Sequence, residues 1–156
     1  MILIILIIIC IDQAVKILVL GKLYNSSIVI FDGILNLTYV ENTGGAYGIG
    51  SNSIIMFIIV NIIVITLLTK FILSKKDEIN IVILISISLI IAGGLGNLID
   101  RIFRGYVIDY IDINPLFKYP VFNIADICVV LGCTVVVTNL IINTIKEKTN
   151  YNLQEK

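Results

Sequence analysis

Four long apolar runs organise the chain: Met1 to Leu20, Ile54 to about Leu73, Ile79 to Ile99, and a fourth from near Val121 to near Ile145. A helix rising about 1.5 Å per residue needs about 20 residues to cross roughly 30 Å of hydrocarbon, so each run has the length of a transmembrane helix. The first is interrupted only by Asp12 and Lys16. The second lies in an interval without charge from Asn42 to Thr69, and the fourth has 19 uncharged residues between Asp126 and Lys146. Four spans put both termini on one side of the membrane. The first run lacks a basic leading segment and an A-x-A-like cleavage site, so it is read as a span and not as a removable signal.

Between the spans the pattern changes. In Ile34-Leu35-Asn36-Leu37-Thr38-Tyr39, apolar Leu35, Leu37 and Tyr39 alternate with Asn36 and Thr38, the two-residue period of a half-buried strand. Asp32-Gly33 just before it is a strong hairpin signal. A small sheet resting at the membrane surface is expected there. Segments 21–53 and 100–120 share one face of the membrane, read as the outer one, and hold nearly all the polar interest. Ser74-Lys75-Lys76-Asp77-Glu78 reads as a solvated connector on the opposite side, and the tail from Lys146 as a frayed polar end. The whole of residues 1–156 is read as a single membrane domain.

Composition strengthens the membrane reading, with 58% apolar and 14% charged residues against roughly a quarter charged in soluble domains. Eleven basic groups balance eleven acidic ones without a basic cluster, which argues against nucleic acid as a partner. Lys70, Lys75, Lys76, Lys146, Lys148 and Lys156 lie with the termini, against Lys22, Arg101, Arg104 and Lys118 opposite. This six-to-four excess favours cytoplasmic termini. Histidine is absent, which removes Ser-His-Asp and Cys-His hydrolases and H-E-x-x-H zinc proteases together. Cys10, Cys128 and Cys133 show no C-x-x-C spacing; they are read as buried small hydrophobic residues, not as a disulfide framework or metal knot.

Acid–base chemistry therefore falls to carboxylates, Lys or Tyr. An Asp at mid-membrane costs roughly 2.5 to 3.5 kcal/mol on insertion scales, so each one requires a reason. Asp12 and Lys16, four apart on one helix face, can neutralise each other. Asn42-Thr43-Gly44-Gly45-Ala46-Tyr47-Gly48 lacks the Lys-Ser/Thr ending of a phosphate loop and reads equally as a turn entering the second span. Gly93-Gly94-Leu95-Gly96-Asn97 has the small-residue spacing of close helix packing. Arg101 can orient a neighbouring carboxylate or hold a backbone carbonyl. Two carboxyls held close share one proton, the charged one deprotonating water while the neutral one donates to a carbonyl, a scheme needing neither histidine nor metal. Asp100, Asp109, Asp112 and Asp126 offer six such pairs, and spacing alone does not choose among them. Two other classes fit the same positions. One is a small transporter with Asp12, Lys16 and Asp126 along an ion path; the other is a metal-dependent lipid phosphotransferase built on the acidic outer segment. Four spans without an inverted repeat weaken the first, and chelator sensitivity separates the second.

Taken together, Asp12-Gln13 with Lys16, Asn42-Thr43-Gly44, G-N-x-x-D-R-x-x-x-G-x-V-x-D from Gly96 to Asp109, and Phe122-Asn123-Ile124-Ala125-Asp126 resemble lipoprotein signal peptidase, the type II signal peptidase of bacteria. The resemblance covers all four spans and the order of every motif. It implies an all-α membrane protein, four transmembrane helices with a small extracytoplasmic β-cradle. It also implies an intramembrane aspartic endopeptidase of the bacterial cell membrane, acting at the outer face, that removes signal peptides from diacylglyceryl-modified prolipoproteins before the lipidated cysteine. By match, Asp109 and Asp126 are the catalytic pair, and Asp12, Lys16, Asn42, Gly93, Asn97, Arg101 and Asn123 support the pair, the substrate or the fold. Asp112 becomes an ordinary interfacial residue. No metal or other cofactor is implied, and the expected partners are prolipoprotein substrates and membrane lipid, with the enzyme a monomer. Three features depart from the family pattern. Val15 stands where the family commonly has Ser or Thr, which bears on local packing. Gly45 and Tyr47 replace Ala and Phe, implying a looser loop with a more polar aromatic. A basic N-terminal flank is missing, so orientation rests on the later loops.

Overall fold

A computed structural model of the chain describes residues 1–24, 26–45, 50, 53–75 and 78–154. Its order is α1 (Ile2–Leu23), β1 (Ser27–Phe31), β2 (Leu35–Asn42), α2 (Ile54–Ser74), α3 (Ile81–Phe103), β3 (Val107–Asp112) and α4 (Ile124–Gln154). All four helices are long and apolar enough to cross a membrane. Helix α3 is the centre, packed against α1, α2 and α4, and it alone is buried over most of one face. The others turn most of their surface outward, as helices bathed in lipid do. Cys10 and Cys133 are accordingly exposed and Cys128 half-buried, which corrects the reading of all three as buried. A small apolar side chain gains nothing by leaving a hydrocarbon solvent.

Helix ends follow local chemistry. Asn80 caps α3, its side chain accepting from the Ile83 N–H at 2.9 Å, so the helix starts two residues after the apolar run does. At α4 the cap is reciprocal: the Asp126 N–H donates to Asn123 Oδ1 at 2.9 Å and the Asn123 N–H to Asp126 Oδ2 at 3.1 Å, the capping-box arrangement with Asp in the Glu position. The fourth span therefore begins at Ile124, not near Val121. Its far end runs on to Gln154, correcting the frayed tail from Lys146, since no Gly or Pro interrupts that stretch.

The sheet has the order β1-β2-β3 and is antiparallel throughout. Phe31 pairs with Leu35, so residues 32–34 form a three-residue connection with Gly33 at φ +69°, a left-handed position that suits glycine. Strand β3 pairs Asn42 with Val107 and Val40 with Asp109. Its other edge is held by Phe122, whose carbonyl accepts from Ile111 N–H at 2.7 Å and whose N–H donates to the Ile111 carbonyl at 3.1 Å. Val19, Leu23, Ile108 and Tyr110 form a small core binding the sheet to α1, and Val15 packs against it. An apolar side chain in place of the family's hydroxyl thus has a packing role. Tyr47, Ala46, Gly48, Lys76 and Asp77 lie outside the described residues.

Candidate active site

Of the four candidate aspartates, two meet. Asp109, buried in the middle of β3, and Asp126, in the first turn of α4, both line a cavity of about 330 Å³ between α2, α3 and α4. Asn123 joins them directly. Its Nδ2 donates to Asp109 Oδ1 at 2.7 Å while its backbone N–H donates to Asp126 Oδ2. The remaining carboxylate oxygens are also held, Asp109 Oδ2 by Asn42 Nδ2 at 2.8 Å and Asp126 Oδ1 by Asn97 Nδ2 at 2.7 Å. Four donors from three asparagines thus fix both carboxyls. Burial and then the neighbouring Asp126 charge raise the Asp109 carboxyl from its usual range to about 7, against the opposing effect of the Asn42 and Asn123 donors.

Behind this face stands a second, fully buried group. Lys16 Nζ lies 2.9 Å from Asp12, 2.9 Å from Asp100, and donates to Asn97 Oδ1 at 3.0 Å. The last contact settles which way the Asn97 amide points, because an ammonium takes only the oxygen and leaves the NH₂ for Asp126. Asp12 does more than neutralise Lys16, since it also accepts the Ala125 N–H at 3.1 Å, one of the unpaired amides opening α4. Asp100 is paired with Lys16 and Arg104 and accepts the Ile108 N–H at 3.2 Å, just before Asp109 on the strand. Asp112 accepts from the Asn114 N–H and side chain, both at 2.9 Å, and closes a turn. Arg101 takes the backbone-carbonyl option, donating to the Gly44 carbonyl at 2.9 Å while its guanidinium stacks 5.0 Å from the Phe57 ring centre. Among the described residues no group of three or more His, Cys, Asp or Glu is arranged to hold a metal ion.

A family model described as signal peptidase (SPase) II matches residues 4–142. The chain belongs to the signal peptidase II family. Lipoprotein signal peptidase of Halothermothrix orenii is 42% identical over 138 residues, covering 88% of this chain and 92% of the relative. That of Clostridioides difficile is 45% identical over 132 residues, covering 84% and 87%. A bacterial membrane enzyme solved by the in meso method at 2.3 Å resolution superposes with a TM-score of 0.83 at 34% identity, covering 92% of this chain and 88% of that one. A second, at 1.9 Å, gives a TM-score of 0.79 at 34% identity, covering 89% and 90%. The protein is a multi-pass membrane protein and a peptidase of the aspartic type.

In this signal peptidase II chain the cavity wall includes residues the sequence pattern did not single out: Phe57 and Asn61 from α2, and Tyr119, Pro120 and Val121 from the segment before α4. The aromatic–proline stretch carries no spacing that marks it. Asn61 did have a signal, as the only carboxamide in its span. Arg104 was missed as well, and Gln13, quoted with Asp12 in the motif, was given no role, although both hold Asp100. At Gly93 the α3 backbone runs tightly against α4, since a Cβ built there would overlap the carbonyl oxygen of Ala125, next to Asp126. At Gly94 it would meet the end of Ile65 at 3.4 Å and Asn61 Oδ1 at 3.5 Å. Gly93→Ala is expected to push α4 outward and lower peptidase activity at least about tenfold by displacing Asp126. Gly94→Ala, whose methyl would meet its neighbours at ordinary contact distance, is expected to leave the melting temperature unchanged. Parallel assays of the two variants with thermal melts check this, and equal effects would remove the special role of Gly93.

Proposed function

We propose that this chain removes signal peptides from diacylglyceryl-modified prolipoproteins in the bacterial cell membrane, cutting the bond before the lipidated cysteine, with Asp109 and Asp126 as the catalytic pair. The observation that carries this reading is the sharing of one cavity by two carboxyls that Asn123 ties together. The substrate class is taken from the relatives, which are lipoprotein signal peptidases. The pair holds one proton between them. The ionised member removes a proton from water, which attacks the scissile carbonyl, and the protonated member donates to the developing oxyanion; the roles reverse when the amine leaves. Asn42, Asn97 and Asn123 keep both carboxyls in place, Asp12 and Lys16 hold Asn97 and the start of α4, Gly93 sets the helix spacing, and Arg101 fixes the Gly44 turn. The pair lies near the ends of α3 and α4 from which the sheet projects. On this reading that end is the outer face, the termini are cytoplasmic, and the enzyme acts as a monomer without a cofactor. A diacylglyceryl anchor keeps the cysteine at the membrane surface, at the depth of the pair, so the scissile bond need not be drawn far into hydrocarbon.

The test is cleavage of a synthetic diacylglyceryl lipobox peptide by the purified protein in detergent with chelator present, read by product mass across pH. A single cut before the modified cysteine is expected, with a bell-shaped rate belonging to the pair. Because Asp109 is raised to about 7, the alkaline limb should fall near that pH as the shared proton is lost. Asn42 donates to the charged form of Asp109, so Asn42→Ala removes a force that lowers its pKa and should move that limb to higher pH. A rate independent of pH, or abolished by chelator, would sink the assignment.

A further inference from the structure

Not every polar side chain lining the cavity holds the carboxyl pair, and Asn61 is one that does not. Asn61 lies seven residues into α2 from Ile54, roughly 10 Å below that end of the helix. It is half-buried and lines the cavity. Its Oδ1 looks across at Gly94, where an added Cβ would stand 3.5 Å away. Among the described residues it has no hydrogen-bond partner. A carboxamide this deep in a span is costly when nothing answers it. Turned toward lipid it would stay unanswered, but it opens on a cavity, and a partner entering that cavity can satisfy it.

Resting on the peptidase reading above, we propose that Asn61 is a substrate-binding residue that holds the backbone of the signal segment just before the scissile bond. A signal segment arrives as an apolar helix in the membrane. For its end to be cut, the last turn must open, and the carbonyls and N–H groups released there have no water to bond. A carboxamide supplies two donor hydrogens and an acceptor oxygen, which match a carbonyl and an N–H of an extended chain. The depth fits. On α3, Gly93 faces the Ala125 carbonyl next to Asp126 and Gly94, one residue on, faces Asn61 Oδ1, so Asn61 stands across the cavity from the pair at nearly its depth. No other group on this wall does the same work. One turn nearer the end, Phe57 is covered by the Arg101 guanidinium, itself held by the Gly44 carbonyl, and on α3 the side of the cavity at this depth is Gly94.

The experiment is an ester scan. Diacylglyceryl peptides that keep the apolar signal segment are made with one backbone amide at a time, over the four positions before the cut, replaced by an ester. Each is assayed with full-length wild type, Asn61→Leu and Asn61→Ala. On the all-amide peptide both variants are expected to lose about tenfold in kcat/KM, chiefly through KM. An ester at one position should cost wild type about tenfold and the variants less than twofold, a dependence that a merely structural role would not produce. Melting temperatures of the variants should equal or exceed that of wild type, since an unanswered amide has been removed. Ester penalties that are the same in wild type and variants at every position would overturn the role of Asn61 and leave the peptidase reading intact. Failure of wild type to cut the all-amide peptide would overturn both.

Discussion

Asp109→Asn and Asp126→Asn are each expected to lower kcat/KM on a diacylglyceryl lipobox peptide by about 10⁴-fold or more while leaving the protein folded. Either change takes away the ionised or the protonated member, and the other carboxyl alone offers one role where hydrolysis needs two. The surroundings also say what else to expect. Both oxygens of Asp109 accept from asparagine amides, and both oxygens of Asp126 accept from N–H donors. An asparagine at either position turns an NH₂ toward a donor, a mismatch worth about 1–3 kcal/mol of stability. A modest drop in melting temperature should therefore accompany the loss of activity without explaining it. Asp112→Asn is the control. Its carboxylate closes a turn with Asn114 at the strand end, away from the cavity, and activity should stay within about twofold. Retention of cleavage by either Asp109→Asn or Asp126→Asn would remove the pair from the mechanism.

The four spans were readable because length and the absence of charge are one-dimensional quantities, and a bilayer asks for little else. The hairpin was readable at Asp32-Gly33 for a similar reason, a local turn needing a local residue. Strand β3 was not read as a strand. Val107, Ile108, Asp109 and Tyr110 are all buried, so the alternation that marked residues 34–39 is missing, and only pairing with β2 defines the element. The site divides in the same way. Asp12 with Lys16 was visible as a pair four apart, yet its main partners, Asp100 and the Ala125 N–H, are 84 and 113 positions from the residues they bind. Spacing could not choose among six aspartate pairs because the choice depends on which carboxylates are already spoken for. Asp100 is taken by Lys16 and Arg104 and Asp112 by Asn114, which leaves Asp109 and Asp126 facing the cavity. The motif resemblance pointed to the same two residues without giving that reason.

Lys16→Met should produce the largest loss of stability of any single change considered, about 3–5 kcal/mol, read as thermal unfolding in detergent or as loss of folded protein on expression. The side chain is completely buried with Asp12 and Asp100, and Arg104 is the other cation of the group. Two cations and two anions balance. Removing Lys16 leaves one carboxylate uncompensated in a place water does not reach, whereas Met fills nearly the same volume, so the cost is one of charge and not of packing. Asp12→Asn added to Lys16→Met restores neutrality, with Asp100 still paired to Arg104, and should recover part of the lost stability, a coupling of about 0.5–3 kcal/mol. Activity should not return with it. The Asn97 oxygen would keep only Asn123 as a donor, at 3.2 Å, and the amide that presents its NH₂ to Asp126 would no longer be fixed by an ammonium. The stability and the cleavage rate of the double variant therefore separate the two roles of Lys16. Recovery of both would mean that it serves charge balance alone, and recovery of stability alone is the outcome expected from its contact with Asn97.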